Sequence, residues 1–517
     1  MNERIANALE VLPDYLSRHV LLCATALAFG IFTALPLAVF AARAPRLRAI
    51  ALTMASVVQT IPGLALLALF YPLLLGISVL TNSMFGFSLP ALGFLPTVLA
   101  LTLYALLPIL RNALAGLAGI NPAIIEAADA VGMTPRQRLW RVEVPLAAPV
   151  AMAGIRTAAV WTIGAATLST SVGQTSLGNY IFSGLQTENW VFVLFGCAAA
   201  AALALLVDQL LGLIEAGAIH RSHKRIALGF AVLALGTGLA LVPLSGGTPS
   251  YRIGAKNFSE QFILAELMTQ LLEAQGATTQ RQEGLGSAIA FRALASSDID
   301  VYVDYSGTLW TNVMDRRDVP PRGTMIEEIT RHLAERHGVV VLGSLGFENA
   351  YALAMRRGRA RELGINTIED LARHASRLTF GTDLEFLSRP EWAALRQAYG
   401  LEFAIQRSFS PTFMYRAIED GSVDVITAFS SDGRIAAQDL VVLADPKSAI
   451  PSYDALVLIS PKRAKDTRLA GALVPLIGKI SVERMREANL MVDRDIDKKS
   501  PKEAAQFLAK SLGLSGN

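Results

Sequence analysis

The sequence predicts a chain of two parts: an all-α, polytopic membrane domain of about six transmembrane helices, followed by an α/β domain of two lobes. Hydrophobic residues make up 52% of the 517 residues and charged residues only 17%, which is more apolar than a soluble protein requires. The charges are unevenly spread, because residues 1–248 contain 13 of the 46 Lys and Arg and 9 of the 43 Asp and Glu. Beyond residue 250, strand-like and helix-like patterns alternate, which indicates a globular α/β domain.

Uncharged stretches predict the spans, because a transmembrane helix requires about 20 apolar residues. Between Arg48 and Arg111 lie 62 residues without Asp, Glu, Lys, Arg or His, enough for two spans joined by a hairpin around Thr81–Gly93. The pattern leaves open whether this run, 49–110, also contains a re-entrant segment. The six predicted spans are Val20–Ala42, two within 49–110, Ala151–Ser171, Asn189–Leu213 and Ile226–Leu244.

Basic residues orient the spans, because flanking Lys and Arg stay in the cytoplasm. They cluster at Arg43–Arg48, Arg111–Arg141 and His220–Arg225. Both the N-terminus and everything beyond the sixth span are therefore predicted to lie outside. The predicted organisation is a membrane domain at 1–225, a sixth span at 226–244, a linker at 245–250 and an extracytoplasmic domain at 251–517. The expected localisation is the inner membrane, multi-pass, with 250–517 on the periplasmic side.

Composition disfavours several other classes of protein. Neither part has the single-sign charge density of a nucleic-acid binder. The first 19 residues have no basic start before a short apolar core, so they do not resemble a cleaved signal peptide. Cys23 and Cys197 lie in apolar runs, which is typical of membrane-buried small side chains. The His-containing stretches have neither metal-ligand spacing nor a nucleophile partner, so we predict no catalytic residue, metal or cofactor in this chain.

The stretch EAADAVGMTPRQRLWRVEVP, residues 126–145, lies between two membrane-length apolar runs. Its spacing resembles the EAA loop of ATP-binding-cassette (ABC) importer permeases, although Val-x-Val-Pro stands where that family usually has Ile-x-Leu-Pro. Small alanines allow close approach of a partner, Gly132 permits a turn with positive φ, and Glu126 offers a carboxylate. A chance helical hairpin with a solvated basic face is the alternative. The matching residues are Glu126, Ala127, Ala128, Gly132 and Pro145.

In that family the loop forms a coupling helix docked on an ATPase subunit, so the resemblance implies an ABC ATPase partner. This chain has no G-x-x-x-x-G-K-[ST] motif, because LIGKIS (Leu476–Ser481) lacks both the upstream glycine and the hydroxyl for magnesium. ATP and magnesium are therefore expected in the partner, and the chain is predicted not to be an enzyme. Two copies of the chain, a homodimer, with two ATPase subunits would be the symmetric assembly.

Two features of the membrane domain have open interpretations. Arg136, Arg138 and Arg141 are either cytoplasmic orientation markers or ATPase contacts. The hydroxyl-rich run TLSTSVGQTSLGNY (Thr167–Tyr180) is either part of a polar path at membrane depth or an outer loop.

The second half is similar to periplasmic substrate-binding proteins for glycine betaine, choline and related quaternary ammonium compounds. The full chain thus resembles an ABC importer permease fused to its own binding protein, as in some betaine-type and ergothioneine-type importers. This implies a type II-like periplasmic-binding-protein domain with crossover strands near 349–358 and 451–461, although two ordinary core strands are the alternative. The stretches that carry the resemblance are GAKNFSEQ (254–261), DVYVDYSGT (300–308), NAYALAM (349–355), FLSRPEW (386–392) and DVITAFSSDGRI (424–435).

A methylated ammonium cannot donate hydrogen bonds, so proteins recognise it by cation–π attraction to several aromatic faces. The resemblance assigns such a cage to Tyr305, Tyr351 and Phe429, with Phe413 or Tyr415 as a fourth wall. Phe429 stands where the family often has Tyr, which retains the ring face and loses a hydroxyl. Ordinary core packing is the alternative for each ring.

A carboxylate at the other end of a zwitterion requires donors, and a forked guanidinium is the best of them. By the same resemblance Lys256, Thr308 and Arg389 serve this role. The alternatives are a solvated loop lysine, a helix cap, and an ion pair of Arg389 with Asp383 or Glu385.

These inferences predict the permease and substrate-binding subunit of an ATP-driven importer for a zwitterionic quaternary ammonium compound, glycine betaine or a similar betaine first. The alternatives are ergothioneine, choline or carnitine as substrate. A membrane-anchored solute sensor is the alternative from another class, but it would require fewer spans and a cytoplasmic output domain.

Overall fold

The computed structural model describes residues 3–85, 89–90, 92–186, 189–220, 222–242, 250–383, 386–494 and 497–514. The chain forms two compact units, one of Met1–Phe182 with Trp190–Gly247 and one of Ser183–Asn189 with Thr248–Asn517. The predicted linker 245–250 lies outside the described residues except for Ser250, and Glu385 lies outside them as well.

All the regular secondary structure in the described part of the first unit is helical. Six of its helical stretches are long and apolar enough to cross a membrane: Ala8–Ala42, Gly63–Phe85, Phe94–Ala118, Pro135–Val172, Trp190–Ile219 and His223–Leu241. The helices are α1 (Glu3–Ala42), α2 (Pro45–Thr60), α3 (Gly63–Phe85), α4 (Phe94–Ala118), α5 (Pro122–Ala130), α6 (Pro135–Arg138), α7 (Val144–Ala165), α8 (Gly178–Gln186), α9 (Trp190–Ile219) and α10 (His223–Leu241).

The prediction of about six apolar helices is confirmed, with different bounds. α1 begins at Glu3, well before the predicted Val20, because a helix extends beyond its apolar part. The run 49–110 contains two spans as predicted, but α2 precedes them as a separate helix that the sequence analysis missed. The predicted hairpin at Thr81–Gly93 is wrong at its start, since α3 continues to Phe85.

The loop at 126–145 forms two short helices with specific end signals. Asn121 caps α5 by accepting a hydrogen bond from Ala123 N–H, and Thr134 forms a capping box with Gln137 before α6. Gly132 between them has φ of 77°, a left-handed conformation that a residue with a Cβ adopts at a cost. The turn predicted at Gly132 is therefore present.

The hydroxyl-rich run after α7 is a 3₁₀ segment, Ala166–Val172, followed by a turn. Its polar groups largely bond within the run: Thr170 donates to Asn179 Oδ1 at 3.0 Å, and Asn179 Oδ1 also accepts from Ser176 N–H at 2.8 Å. These buried bonds favour a structural turn over a polar path.

The second unit contains ten strands and twelve helices in its described part. The strands are β1 (Tyr251–Lys256), β2 (Thr279–Leu285), β3 (Val301–Tyr305), β4 (Val340–Glu348), β5 (Tyr351–Arg356), β6 (Thr379–Asp383), β7 (Ile405–Phe409), β8 (Val425–Phe429), β9 (Leu440–Val442) and β10 (Asp454–Ile459). The helices are α11 (Ser259–Ala274), α12 (Ser287–Ala295), α13 (Ser306–Thr308), α14 (Arg322–His337), α15 (Arg357–Leu363), α16 (Ile368–His374), α17 (Pro390–Tyr399), α18 (Pro411–Glu419), α19 (Arg434–Ala437), α20 (Thr467–Leu473), α21 (Val482–Asp493) and α22 (Pro501–Ser511).

The strands form two five-stranded mixed sheets, which define two lobes. The first sheet has the order β2-β1-β3-β10-β4 and the second β7-β6-β8-β5-β9. Lobe 1 comprises the first sheet with α11–α14 and α20–α22, and lobe 2 comprises the second sheet with α15–α19. The chain changes sheet between Glu348 and Tyr351 and returns between Val442 and Asp454, so each stretch predicted as a crossover contains the first strand after a change.

Each lobe has its own hydrophobic core. The fully buried strand β10 and the inner face of α11 contribute to the core of lobe 1, where Val457 and Leu267 are completely buried. In lobe 2, Phe380 stacks on Phe403 with ring centroids 4.6 Å apart. The two crossovers are tied together, since Asn349 N–H donates to Tyr453 C=O at 2.9 Å.

Candidate functional site

A buried carboxylate, Glu260, joins the two lobes. It lies in the first turn of α11, immediately after the C-terminal end of β1, where open α/β sheets commonly bind ligands. Oε1 accepts from Tyr305 Oη at 2.6 Å and from Asn349 Nδ2 at 3.1 Å, and Oε2 accepts from Ser431 Oγ at 2.5 Å and from Asn489 Nδ2 at 3.0 Å. Its partners come from lobe 1, lobe 2 and the first crossover.

Beside Glu260 lies a cavity of about 60 Å³, which we call the interlobe cavity. This volume is large enough to hold several atoms of a small molecule, since a single water needs about 10–15 Å³ by the same measure. Segments that follow strands β1 and β8 supply most of its wall. The lining residues are Phe258, Ser259, Glu260, Asn349, Phe429, Ser431, Asp432, Arg434, Asn489 and Asp493.

The polar wall of the interlobe cavity is rich in acceptors. The lining includes one guanidinium, that of Arg434, and three carboxyl groups, those of Glu260, Asp432 and Asp493. Nη2 of Arg434 lies 2.7 Å from Oδ2 of Asp432, so these two residues form an ion pair. The buried Oδ1 atoms of Asn349 and Asn489 have no hydrogen-bond partner among the described residues, although both amides donate through Nδ2. Those two atoms have almost no accessible surface, so it is the three carboxyl groups that make the cavity suit a ligand with N–H groups or positive charge.

Burial changes the acidity of this wall. It raises the pKa of Asp493 to about 6, although the nearby Arg434 and the hydroxyl of Ser259 favour the ionised form. Burial also raises the pKa of Glu260 above its usual range, against the four hydrogen bonds that it accepts. Among the described residues, no group of three or more His, Cys, Asp or Glu is arranged to hold a metal ion.

Of the three predicted cage aromatics, Phe429 lines the interlobe cavity directly. Tyr351 lies one ring behind it, with ring centroids 5.1 Å apart. Tyr305 packs beside Phe258 at 6.1 Å between centroids and uses its hydroxyl on Glu260. The structure thus brings the three predicted rings to the same region and places one of them on the cavity wall.

Neither predicted candidate for the fourth aromatic wall lines the interlobe cavity. Phe413 is 41% exposed and Tyr415 is fully buried beneath Arg434, whose Cζ lies 4.0 Å from its ring centroid. Tyr415 supports the cavity from behind by accepting a hydrogen bond from Phe429 N–H at 3.4 Å. Phe258, which was not predicted, does line the cavity, and the signal for it was its place between β1 and α11 inside GAKNFSEQ.

Two of the three predicted carboxylate donors, Lys256 and Arg389, are paired with carboxylates. Lys256 is 2% exposed and forms an ion pair with Asp304, so the alternative of a solvated loop lysine is wrong. Its ammonium also lies 5.2 Å from the Tyr305 ring centroid. Thr308 is buried and occupies the N-cap position of the helical turn Leu309–Val313, but its side chain makes no capping hydrogen bond there, so the helix-cap alternative is also wrong.

Arg389 is buried and forms an ion pair with Glu391 at 3.2 Å, a partner that was not predicted, while its predicted alternative pairing with Asp383 or Glu385 stays a prediction because Glu385 lies outside the described residues. Its Nη2 also donates to Tyr453 Oη at 3.2 Å, and its guanidinium lies 5.2 Å from the Tyr351 ring centroid. Arg389 therefore joins lobe 2 to the second crossover next to the aromatic cluster. Its role toward a ligand, like those of Lys256 and Thr308, stays a prediction.

The loop at 126–145 presents a mixed surface. Glu126, Ala127 and Pro145 are exposed and Ala128 is buried. Val131 and Trp140 are exposed by 73% and 63%, which is unusual for large apolar side chains outside a membrane. Arg138 is bound within the loop by Asp129 and Glu143, so of the three loop arginines this one has an internal structural role.

Two family models match the chain. Residues 30–220 match the binding-protein-dependent transport system inner membrane component, and residues 249–510 match the substrate-binding domain of the ABC-type glycine betaine transport system.

Similar proteins combine or separate the same two parts. The ergothioneine transport permease/ergothioneine binding protein EgtU of Helicobacter pylori (strain G27) is 30% identical over 506 residues, which cover 94% of this chain and 87% of that protein. The choline transport system permease protein OpuBB of Bacillus subtilis (strain 168) is 36% identical over 38% of this chain and 83% of its own length. The carnitine transport binding protein OpuCC of Listeria monocytogenes is 30% identical over 57% of this chain and 98% of its own length.

Proposed function

Because the chain belongs to the family of ABC importer permeases fused to a substrate-binding domain of the glycine betaine type, we propose that it imports a zwitterionic trimethylammonium compound, with ergothioneine as the leading candidate. A permease of this family works with an ATPase subunit and a small-molecule substrate. The six apolar helices of this chain make it a multi-pass membrane protein. Two copies of the chain would form the complete transmembrane part of the importer, with residues 250–517 outside the cytoplasm.

The observation that carries this proposal is the pairing of aromatic rings with a carboxyl-rich wall in the interlobe cavity. Phe258 and Phe429 offer faces to a quaternary ammonium, and the carboxyl groups of Glu260, Asp432 and Asp493 can accept hydrogen bonds from N–H groups. Glycine betaine has no N–H group, whereas ergothioneine carries an imidazole-derived ring besides its trimethylammonium and carboxylate ends. The relative that matches almost the whole chain also carries ergothioneine in its name.

Glycine betaine is the second candidate, because the small volume of the interlobe cavity, about 60 Å³, favours a shorter zwitterion. Lys256 and Arg389 lie 5.2 Å from the rings of Tyr305 and Tyr351, respectively, so cations suited to a short carboxylate accompany the aromatic cluster. To bind a ligand they would exchange their present partners, Asp304 and Glu391.

Calorimetric titration of the full-length chain in lipid nanodiscs distinguishes the candidates. We expect ergothioneine to bind at least about 10-fold more tightly than glycine betaine, carnitine or choline, a difference of about 1.4 kcal/mol. Asn489→Asp, which introduces a carboxylate and removes an N–H donor to Glu260, should weaken ergothioneine binding. Lys479→Ala, on the short turn before α21, is the matched control.

Tight binding of glycine betaine that Arg389→Ala abolishes would establish the second candidate instead. No binding of any of the four compounds would contradict both candidates.

The exposed loop surface gives a separate test of the ATPase partnership. Trp140 and Val131 are available for contact, and the turn at Gly132 sets the angle between α5 and α6. We expect Trp140→Ala to reduce co-purification with the ATPase subunit while ligand binding stays unchanged. Trp190→Ala, an equally large exposed residue at the start of α9, serves as the control.

A further inference from the structure

Three charged side chains connect two helices of the membrane unit. Arg156 of α7 donates to both carboxylate oxygens of Asp208 on α9, from Nε at 2.9 Å and from Nη2 at 2.8 Å. Its Nη1 donates to Glu215 Oε2 at 2.7 Å. One guanidinium thus serves two carboxylates, so the cluster has a net charge of −1 with all three groups ionised.

The backbone of α9 is shaped to receive the guanidinium. Asp208, Gly212 and Glu215 lie on one face of the helix, since they are spaced by four and then three residues. A Cβ at Gly212 would lie only 3.2 Å from Arg156 Cζ, so a glycine permits the guanidinium to rest against the helix between its two partners. These specific contacts hold the charged cluster in place between α7 and α9.

The Arg156–Asp208 pair lies deep within the apolar stretches. Asp208 precedes His220, the first residue of the basic cluster at the end of α9, by about 12 residues, or about 18 Å of helix. The hydrocarbon core of a bilayer is about 30 Å thick, and Asp208 lies five residues before the end of the predicted span Asn189–Leu213, so the pair falls in the cytoplasmic half of the core. Charged groups at this depth are costly and usually line a route for a substrate or ion.

Two of these charged residues, Arg156 and Asp208, border an open groove of about 550 Å³, which we call the membrane groove, and Glu215 lies behind Arg156. Trp161 is 53% exposed, and together with Asp208 it gives the groove an aromatic face next to a carboxylate. The lining residues are Ala153, Arg156, Thr157, Val160, Trp161, Ala204, Leu205 and Asp208.

We propose that the membrane groove is a second, transient binding site for the trimethylammonium group of the transported compound, recognised by Trp161 and by the net negative charge of the Arg156–Asp208–Glu215 cluster. The proposal rests on the proposed function for the choice of ligand. An aromatic face attracts a quaternary cation, and a charged cleft with low-dielectric walls concentrates ions of the opposite sign. A cluster that merely clamped α7 to α9 would have no use for an excess carboxylate or an exposed ring.

The test uses a thiol as a probe of the groove in the full-length chain. Thr157 is exposed and lines the groove, so Thr157→Cys in a Cys197→Ser background places a thiol there, and Cys23 is buried. The probes are two methanethiosulfonate reagents of similar size, one carrying a trimethylammonium group and one carrying a sulfonate. In both, the thiolate attacks the sulfenyl sulfur, a disulfide forms, and methanesulfinate leaves.

We expect the trimethylammonium reagent to label Thr157→Cys at least about 10-fold faster than the sulfonate reagent, after each rate is divided by that for free cysteine. Asp208→Asn removes the excess charge and should abolish this preference. Millimolar tetramethylammonium should slow the labelling, and Trp161→Leu, but not Trp161→Phe, should remove that protection. Native Cys197, which is exposed on α9 outside the groove, provides the control position in the unmodified chain.

Equal rates for the two reagents, or no reaction with either one, would overturn the proposal. Equal rates would show that the groove does not select cations, and no reaction would show that water does not reach it.

Uptake into proteoliposomes, with the ATPase subunit and ergothioneine or glycine betaine, separates this proposal from the proposed function. Trp161→Leu should lower the uptake rate about 10-fold, while the dissociation constant of the full-length chain for the same compound stays unchanged. Trp161→Phe should retain most of the uptake. Unchanged uptake by Trp161→Leu contradicts the membrane groove alone, whereas no binding of either compound to the unmodified chain contradicts the proposed function.

Discussion

The interlobe cavity and the membrane groove contain the same kinds of groups in different settings. Each has aromatic groups in its wall and a guanidinium that is paired with carboxylates, and in each case the carboxyl groups of the cluster outnumber the guanidinium, although Glu215 does not line the groove itself. The cavity has about 60 Å³ and walls from two lobes, whereas the groove has about 550 Å³ and opens to one side. Enclosure desolvates the carboxyl groups of the cavity and strengthens each hydrogen bond that they form. At an open surface, water weakens such interactions.

This difference suits two tasks in transport. A binding domain must hold its compound selectively, which requires desolvated, specific contacts. A membrane route must release it again, so its contacts have to remain weak. Substitutions in the cavity should therefore produce large changes in affinity and stability, and substitutions in the groove should produce smaller changes that are confined to the rate of uptake.

The largest effect should follow from Glu260→Ala. The substitution leaves four buried donors, those of Tyr305, Asn349, Ser431 and Asn489, without their acceptor, each at a cost of about 1–3 kcal/mol that entering water partly offsets. We expect the second unit to lose about 3 kcal/mol of unfolding free energy and to stop binding ligand. Hydrogen–deuterium exchange of β1 and β3 in the full-length chain measures the loss.

Glu260→Gln, which keeps one acceptor oxygen, should lose less than half as much. Equal protection in the unmodified chain and in Glu260→Ala would show that the carboxylate does not join the lobes.

The next effect is a pH dependence that arises from Asp493. Its folded pKa of about 6 lies above the usual value of about 3.9. The folded state therefore binds the proton more tightly, so this contribution to stability is complete below about pH 4 and is lost as the pH rises through about 6. The change is on the order of 3 kcal/mol.

Asp493→Asn should flatten this part of the pH profile of exchange protection between about pH 4 and 7. Lobe 2 strands such as β6, which lie away from Asp493, provide an internal control. A slope that persists in Asp493→Asn would assign the pH dependence to another group.

Removal of one cavity ring should have a moderate effect. Phe429→Ala deletes a cation–π face worth about 0.5–2 kcal/mol, so we expect the affinity for ergothioneine to fall about 10-fold. Phe429→Tyr keeps the ring and should bind within about 2-fold of the unmodified chain. Phe413→Ala, at an exposed ring outside the cavity, is the control, and calorimetry on the full-length chain measures all three.

The smallest effect should come from Gly212→Ala, next to the charged cluster of the membrane unit. The added Cβ would lie 3.2 Å from Arg156 Cζ, so the guanidinium between Asp208 and Glu215 would have to shift by a few tenths of an ångström. We expect uptake to fall about 5-fold, or about 1 kcal/mol, with ligand binding unchanged. Gly164→Ala, at a helical glycine with no atom within 4 Å of the added Cβ, should transport normally. A reduction in binding would place the effect outside the groove.

Much of the fold followed from periodicity and composition. Apolar length predicted the number of candidate spans, since the cost of burying charges in a membrane leaves a strong signal along the chain. Strands such as β8 and β10 lie inside stretches that the sequence predicted to be strands, because almost all of their residues are apolar. Helix α2 was missed because no charge separates it from α3, and the break at Ile61-Pro62 is a matter of local geometry.

The site was predicted in part. The resemblance pointed to Phe429, Tyr351 and Tyr305, which the structure brings to one region. Phe258 and Glu260 were missed as site residues although both lie within a quoted stretch. Their importance depends on partners far along the chain, such as Ser431 and Asn489, which no local pattern connects to them.

By itself the sequence determined the class of each part: the membrane spans, the α/β alternation, the loop with its positive-φ glycine, and the family resemblance. These features depend on the local order of residues along the chain, which the sequence gives directly. Only the tertiary structure decided which charges are paired and which acceptors are left without donors. The family resemblance predicted Lys256 and Arg389 as donors to a ligand carboxylate. In the folded chain each of them is paired with a carboxylate of the protein. Packing brings distant groups within hydrogen-bond range and excludes water from them, so the electrostatics of a site emerge only in three dimensions.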